Sequence, residues 1–330
     1  MRHGWPTVPS SFCNACLRHG NRRAPVAWRS VPHCCVVLLL VALCAGPGCS
    51  TFRKKGVTDN MVAARQMSLR GTDALQRGNM QEAEGLFSSA IEKCAADERA
   101  RAGYAETLWQ RGAQDEAVRH LEEAVRLSGG DPQMLVRLGE MNLAKGDLDG
   151  ASLRADLALR TARQSPAAWA LKGDVERARG KLDDALSHYH RALSFQEHFP
   201  RVQIAVAEIY RQQNRPQRAL ATLDHLNERF APGQTPDDVH VLRGLAQKAL
   251  GRYDDASESF LAATRRGAAT PDVWYHLAET QFLAGDPLAA RTAVSEALRV
   301  DHTHAASLRL SARLESDQQR MASAAESRMR

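Results

Sequence analysis

Histidine and cysteine side chains give the chain its clearest opportunities for metal binding. Cys13 and Cys16 form one C-x-x-C pair, whereas zinc sites combine two such pairs, or one pair with two histidines, at defined spacing. His188 and His190 stand two residues apart in a segment with helical periodicity, so their side chains point to different sides of that helix. We therefore expect no metal site. We interpret the two cysteines as part of a leader removed on export, or of an upstream extension.

Motifs for catalysis are also missing from the sequence. It contains no G-x-S-x-G, no Walker loop and no H-E-x-x-H, the short patterns that mark nucleophile elbows, phosphate loops and zinc proteases. His302 and His304 could chelate an ion from a loop, but a solvated loop is the simpler interpretation. Cys94 has no histidine beside it in the sequence to act as a base, which favours a small apolar residue or an ordinary thiol. We predict a protein that is not an enzyme and takes no cofactor.

A repeat with a period of 34 residues organises most of the chain. An alanine recurs at intervals of 34, 34, 34, 34, 37 and 34 residues, as Ala83, Ala117, Ala151, Ala185, Ala219, Ala256 and Ala290. Five residues before each alanine stands Gly78, Gly112, Gly146, Gly180, Asn214, Gly251 or Gly285. The apolar residues between these positions have helical spacing, so each repeat predicts two short amphipathic helices joined by a tight turn.

This pattern resembles the tetratricopeptide repeat (TPR), a helix–turn–helix unit of the same length. The glycine of the turn would end the first helix in a left-handed conformation, and asparagine, as at Asn214, is the other residue type that accepts this conformation. The predicted helix caps and first-turn prolines are Asn79, Asp147, Asp286, Pro216 and Pro287. The proline that usually closes a repeat in this family is displaced to Pro132, Pro166, Pro200 and Pro271.

The resemblance implies an all-α fold, an α-solenoid or superhelix of about seven TPR repeats with a C-terminal capping helix, which an open array needs. The predicted repeats are residues 64–97, 98–131, 132–165, 166–199, 200–236, 237–270 and 271–304. The flanking parts are a leader at 1–48, an anchor linker at 49–63, the capping helix at 305–319 and a flexible tail at 320–330. We interpret the longer interval at 230–236 as a tolerated loop; the alternative is a joint between two blocks of repeats.

In this family the first helix of each repeat lines a concave groove that binds an extended peptide or a helix of a partner. The candidate groove residues are Glu106, Trp109, Glu140, Leu143, Asp174, Arg177, Glu208, Arg211, Lys248, Glu279 and Phe282. They predict a row of carboxylates beside a row that changes from apolar to basic and back to apolar. Chaperone-binding members hold a peptide carboxylate with Lys and Asn, and only Lys248 matches. The resemblance therefore implies a ligand of mixed polar and apolar character, unless acids and bases three residues apart simply pair along one helix.

The net charge of +6 does not indicate nucleic-acid binding. Residues 1–48 contain five arginines and no acidic residue, which leaves 39 basic and 38 acidic residues for the rest of the chain. A nucleic-acid-binding domain keeps a basic stripe on its folded surface. The balanced body gives no such excess, so we expect protein partners and no nucleic acid.

The N-terminal part of the chain has the pattern of an export signal. An apolar run of 13 residues, Cys34 to Gly46, follows Arg22, Arg23 and Arg29. A membrane-spanning helix needs about 20 apolar residues, whereas a run of this length behind basic residues is typical of a secretory signal. An uncleaved transmembrane anchor is the alternative.

The residues after the apolar run resemble the lipobox of bacterial lipoproteins. Gly48 precedes Cys49 directly, although Gly46 and Pro47 depart from the usual pattern. In that family the cysteine is acylated, and its acyl chains hold the protein at a membrane surface. Ser50, where Asp would signal retention, implies the outer membrane. We expect a periplasm-facing lipoprotein of the bacterial cell envelope, with anchoring in the inner membrane as the alternative.

Two functions agree with these features. The first is a non-catalytic scaffold, exported and tethered to a membrane, that binds peptides or helices of partner proteins in its groove. The second is a dedicated adaptor or assembly factor for an enzyme machine of the cell envelope, anchored by an uncleaved N-terminal helix. The number of stoichiometric partners would distinguish the two.

Overall fold

The computed structural model of the protein describes residues 50–231 and 233–329. The chain divides into two compact units, Met1–Gly56 and Val57–Arg330, and the second unit holds nearly all of the described residues. The predicted leader and Cys49 lie outside the described part. Within that part all secondary structure is helical, in fifteen α-helices, which confirms the predicted all-α fold.

Seven consecutive helix pairs follow one another along the chain, and a single helix follows the last pair. The pairs are α1 (Ser50–Gln76) and α2 (Met80–Lys93), α3 (Glu98–Gln110) and α4 (Gln114–Leu127), α5 (Pro132–Ala144) and α6 (Leu148–Thr161), α7 (Pro166–Ala178) and α8 (Leu182–Phe195), α9 (Pro200–Gln212) and α10 (Pro216–Asn227), α11 (Asp237–Ala249) and α12 (Tyr253–Arg266), and α13 (Pro271–Leu283) and α14 (Pro287–Val300). The single helix is α15 (Ala305–Met329). We call the odd-numbered helices α1 to α13 the first helices and the even-numbered ones the second helices. From α3 onward, each first helix packs mainly on its own second helix, which in turn packs on the next first helix.

The turns between paired helices have the left-handed backbone that the sequence predicts. Gly180 has a φ of 78°, and its amide donates to the carbonyl of Arg177 at 3.0 Å. Asn214 has a φ of 55° and is the one residue other than glycine with a positive φ in the described ranges. Since asparagine tolerates this conformation better than other side chains do, the exceptional residue of the repeat keeps the same turn.

The predicted caps are confirmed at the start of the second helices. Asn79, Asp147 and Asp286 each accept a backbone amide hydrogen from the first turn of the helix that follows. The displaced prolines lie in the first turn of first helices, where a missing N–H costs nothing; they are Pro132, Pro166, Pro200 and Pro271. These prolines therefore begin a repeat and do not close one.

Small residues allow neighbouring helices to approach closely, both within a pair and between consecutive pairs. A Cβ atom added to Gly173 of α7 would lie 2.5 Å from the ring of Tyr189 on α8. The same atom added to Gly103 of α3 would lie 2.2 Å from the ring of Phe87 on α2. Both rings are fully buried. These glycines are therefore required by packing, because a close-packed interior has no room for the added methyl group.

The apolar core consists of several clusters that join neighbouring repeats. The largest, which we call the central cluster, draws residues from α7 to α11, among them Tyr189, Ile209 and Val239. Val239 follows the irregular interval at 230–236, so the core is continuous across that interval. In the same loop the hydroxyl of Thr235 donates to Asn227 Oδ1 at 2.7 Å. The longer interval is therefore a loop inserted into a continuous array.

Two helix ends differ from the prediction. The segment 49–63, expected to be a linker, is helical from Ser50 as part of α1, because it contains no proline that would interrupt a helix. The last helix continues past Gln319 to Met329, since residues 305–329 contain neither glycine nor proline. The predicted tail is thus helical over most of its length.

Candidate functional site

Three neighbouring first helices enclose an open cleft of about 440 Å³, which we call the central cleft. Its walls come from α7, α9 and α11 and include no residue of a second helix. The lining residues are Asp174, Arg177, Arg201, Ile204, Ala205, Glu208, Asp238, Val241 and Leu242. Three of the eleven candidate groove residues line it, namely Asp174, Arg177 and Glu208.

Helix geometry explains why these side chains share one surface. In α9, Arg201, Ile204 and Glu208 are three and four residues apart, so they lie one above another on the same face of the helix. In α11, Asp238 and Val241 are three residues apart and therefore also lie on one face of the helix. The sequence prediction identified both lining residues of α7, only Glu208 of α9 and none of α11. On α9, the lining residues Ile204 and Arg201 stand four and seven residues before Glu208, which is the helical spacing that would have indicated them.

Asp174 is the most buried polar group of the cleft, with 6% of the residue exposed. The hydroxyl of Tyr189 donates to Asp174 Oδ1 at 2.6 Å, and the Arg201 guanidinium donates to Oδ2. Burial, together with this nearby carboxylate, raises the pKa of the Tyr189 hydroxyl. One carboxylate therefore ties α7 to both α8 and α9. Arg177, predicted as its partner along the helix, lies 4.0 Å away.

Glu208, by contrast, is paired along its own helix. Arg211 donates to both of its carboxylate oxygens, from Nε at 2.9 Å and from Nη2 at 2.6 Å, and Gln212 Nε2 adds a bond of 3.1 Å. The hydrogen bond from Arg211 lowers the pKa of Glu208 against the opposing effect of burial. Pairing three residues apart therefore accounts for these two candidate residues.

The candidates on α3 and α5 are joined by an arginine that the sequence prediction did not include. Arg137 Nη2 donates to Glu106 Oε2 at 2.8 Å, and its Nη1 donates to Glu140 Oε2 at 3.2 Å. Trp109 and Leu143 are half-buried and pack against the core clusters beside them. The two carboxylates of this part of the predicted acidic row are therefore paired with the guanidinium of Arg137, which joins two repeats.

A second polar group joins α11 to α13. Lys248 Nζ donates to Glu279 Oε2 at 2.7 Å and lies 3.1 Å from His276 Nδ1, while the hydroxyl of Tyr275 donates to Glu279 Oε1 at 3.1 Å. Burial and the adjacent lysine lower the pKa of His276 to about 4. Lys248 is therefore already bound to a carboxylate of its own chain. Phe282, the last candidate, lies under the Arg313 guanidinium at 4.8 Å.

A histidine at the start of α15 has neighbours of the types found in hydrolytic triads. His304 Nδ1 lies 2.7 Å from Ser307 Oγ, and its Nε2 lies 3.2 Å from Asp272 Oδ1. Ser307 is 0% exposed, so a substrate cannot reach its hydroxyl. The contacts instead attach α15 to α13.

The remaining sites of potential chemistry are dispersed. His188 stacks on Trp169, whereas His190 Nε2 contacts the Tyr210 hydroxyl at 3.2 Å. Cys94 is a free, half-buried thiol. Across residues 50–231 and 233–329, no group of three or more His, Cys, Asp or Glu side chains is arranged to hold a metal ion. No helix in this part of the chain is long and apolar enough to span a membrane.

Comparisons with known proteins agree with the repeat architecture. Two family models, both described as tetratricopeptide repeat, match residues 108–175 and 176–247, and residues 68–132 and 241–301. No curated protein matches the sequence.

Solved structures similar to this one include PilF from Pseudomonas aeruginosa, with a TM-score of 0.58, 17% identity, and coverage of 68% of this chain and 99% of PilF. PilW, described as a type IV pilus biogenesis factor, has a TM-score of 0.56 at 17% identity and covers 62% of this chain and 93% of its own. A tetratricopeptide repeat protein from Parabacteroides merdae has a TM-score of 0.54 at 12% identity and covers 75% and 97%. At such identities these similarities show the fold alone.

Proposed function

Because this chain belongs to the tetratricopeptide repeat family, we propose that it is a non-catalytic scaffold that binds segments of partner proteins in the groove along its first helices. The repeats themselves indicate a protein–protein interaction scaffold. The observation that supports a binding site in this groove is the central cleft, which combines charged side chains with aliphatic ones on a concave surface. Such a mixture is typical of sites that fix orientation with a few polar groups and bury apolar surface beside them.

A position-specific crosslink tests the proposed site. Asp238 is exposed and lines the cleft, whereas Ala221 is exposed on the second helix α10. A photoreactive phenylalanine analogue at residue 238 should crosslink a defined partner in intact cells, and the same analogue at residue 221 should not. Equal crosslinking from both positions, or none from residue 238, would contradict binding in the groove.

We also propose that the protein is exported and held at a membrane surface by acylation of Cys49, facing the periplasm. The basic N-terminal residues, the apolar run and the cysteine behind it support this location. In cells given a clickable fatty acid, the wild-type protein should carry the label and the Cys49→Ala variant should not. Label that persists in the variant would reject a lipid anchor at this residue.

The alternative role, a dedicated adaptor for one machine of the cell envelope, differs in the number of partners. Crosslinking from residue 238 should give one stoichiometric partner for an adaptor and several weaker ones for a general scaffold. A chain retained in the membrane without any acyl label would favour the uncleaved helix that the adaptor hypothesis includes.

A further inference from the structure

Two arginines of the central cleft share a single carboxylate. Arg201 donates to Asp174 Oδ2, and Arg177 Nη2 lies 4.0 Å from Asp174 Oδ1. The Asp174 side chain is 7% exposed, whereas those of Arg177 and Arg201 are 44% and 49% exposed. A guanidinium group has five N–H donors in a planar fork. The buried carboxylate thus orients the Arg201 guanidinium and lies near that of Arg177, and both arginines are half-exposed in the lining of the open cleft.

Two other carboxylates near these arginines, Glu208 and Glu140, are engaged elsewhere. Both oxygens of Glu208 accept hydrogen bonds from Arg211. Glu140 accepts from Arg137 on its own helix. On the α7 and α9 side of the cleft, the three arginines Arg177, Arg201 and Arg211 therefore face the two carboxylates of Asp174 and Glu208. The charge balance on that side is one positive charge, and Asp238 on the α11 side brings the balance of the whole cleft to zero.

Aliphatic side chains lie next to this positive charge. Ile204 of α9 and Leu242 of α11 are half-buried at the edge of the central cluster, and Val241 joins them in the wall of the cleft. Asp238 stands exposed at the first turn of α11, where it would repel a second anionic group. A ligand that matches this surface carries one negative charge beside an aliphatic group.

We propose that the central cleft recognises a segment of a partner protein in which an Asp or Glu carboxylate is held by Arg177 and Arg201 while a neighbouring aliphatic side chain packs on Ile204. The inference rests on the proposed function and specifies the chemistry of the partner. Guanidinium groups bind carboxylates through paired, charge-assisted hydrogen bonds. Complementary charge of this kind determines which partner is selected more than it determines how tightly a partner is held. Asp174 acts as a positioning residue, since it orients the Arg201 guanidinium and is itself covered.

A random peptide library displayed on phage tests this chemistry with the full chain as bait. Wild-type protein should select peptides enriched in an acidic residue next to Leu, Ile or Val. The selected peptides should bind the Arg177→Gln/Arg201→Gln variant about tenfold or more weakly, because charge-assisted hydrogen bonds are lost. Arg119→Gln is the matched control, since Arg119 is also an exposed arginine but lies on the second helix α4 and does not line the cleft. It should change affinity by less than about threefold.

A charge-removing change in the peptide provides the reciprocal measurement. Replacing its acidic residue by Gln or Asn should weaken binding to the wild type and have little further effect on the double variant. If the double variant loses its fold by circular dichroism, Arg177→Gln alone is informative. Arg177 is exposed, and its nearest carboxylate among the described residues is 4.0 Å away, so its loss leaves no buried group unpaired.

The outcomes separate this inference from the proposed function. Selected peptides without acidic enrichment, or with equal affinity for wild type and Arg177→Gln/Arg201→Gln, would overturn the recognition of a carboxylate and leave groove binding intact. Failure of the wild type to select any peptide, with no partner crosslinked from residue 238, would reject groove binding itself.

Discussion

At the scale of single residues, one buried carboxylate governs the geometry of the candidate site. Asp174 accepts hydrogen bonds from Tyr189 and Arg201, which lie on two other helices. A buried carboxylate is costly unless it is hydrogen-bonded and paired, so the three side chains stabilise the fold only together.

Removal of the tyrosine hydroxyl should therefore destabilise the array. We expect Tyr189→Phe to lower the free energy of unfolding by about 1.5–3 kcal/mol, the usual cost of losing a hydrogen bond to a charged group. Urea denaturation followed by circular dichroism measures the change. Tyr253→Phe, at the half-buried first residue of α12, is the control and should stay within about 0.5 kcal/mol. An equal loss of unfolding free energy in the two variants would show that the hydrogen bond from Tyr189 to Asp174 makes no specific contribution to stability.

The lowered pKa of His276 gives the stability a specific pH dependence. Burial and Lys248 reduce this pKa from 6.5 to about 4, so the folded state keeps the ring neutral while the unfolded state binds a proton. The contribution is complete above pH 6.5 and is lost as the pH falls towards 4. The groups that face the ring are Lys248, Glu279, Tyr275 and the side chain of Phe260.

Urea denaturation at pH 7 and pH 5 should show a smaller loss of stability for His276→Gln than for the wild type. An NMR titration of the His276 ring protons gives the pKa directly. The exposed His302→Gln variant should retain the wild-type difference between the two pH values. A His276 pKa at or above 6.5 would contradict the structural assignment.

At the scale of single residues, the sequence predicted which residues form turns and caps better than it predicted which side chains contact each other. The left-handed Asn214 and the three caps depend on local backbone geometry, which a few neighbouring residues determine. Spacing offers Arg177 as a partner of Asp174, in the alternative where acids and bases pair along one helix, whereas the structure brings Tyr189 and Arg201 closer. Contacts between repeats depend on how the helices cross, and helical periodicity within one segment carries no information about the crossing.

At the scale of helices, small residues set the distance between paired elements. Gly173→Ala should destabilise the protein by about 1–3 kcal/mol, because the new methyl group meets the buried Tyr189 ring at 2.5 Å. Gly85→Ala is the matched change on α2, where the added Cβ has no neighbour within 4 Å. It should stabilise the protein by about 0.5–1 kcal/mol, as expected for Gly to Ala in a helix interior.

Thermal and urea denaturation of both glycine variants measure the difference. The two substitutions are chemically identical, so opposite signs would show that packing, and not helix propensity, decides the outcome at position 173. Similar stabilisation by both would mean that the α7–α8 contact relaxes freely.

The extents of most helices were predictable because a residue with a left-handed backbone marks the turn inside each repeat, and a side-chain cap or a first-turn proline marks many of the helix starts. The first and last helices lack such signals. No proline in the predicted linker keeps α1 from being helical before residue 64, and neither glycine nor proline ends α15 near residue 319, so both helices extend beyond the expected boundaries. The absence of residues that end a helix therefore predicts a longer helix, just as the repeat predicts the helix pairs.

At the scale of the whole molecule, α15 closes the C-terminal end of the second compact unit. Leu310 and Leu314 are 7% and 2% exposed in the last core cluster, and Arg291 Nη2 donates to the Leu314 carbonyl at 3.1 Å. The helix therefore covers apolar surface that a following repeat would otherwise cover.

Deletion of residues 305–330 should destabilise the last repeat by about 3 kcal/mol or more, since two leucines lose their burial. Size-exclusion chromatography should show self-association, and thermal unfolding should begin earlier. Deletion of residues 320–330 alone is the control, because it spares Leu310 and Leu314 and should change stability by less than about 0.5 kcal/mol. Equal behaviour of the two deletions would argue against a capping role.

The uneven size of the core clusters leads to unequal rates of amide hydrogen exchange along the array. Among the residues that the structure describes, the two clusters around α1 and α2 contain three buried residues each, whereas the central cluster contains seventeen. Since opening costs less where little apolar surface is buried, amides of α1 and α2 should exchange well before those of α8 and α9. The central cleft thus lies over helices whose amides should exchange most slowly, so the backbone that carries its side chains is already ordered when a partner arrives and binding costs little backbone ordering entropy.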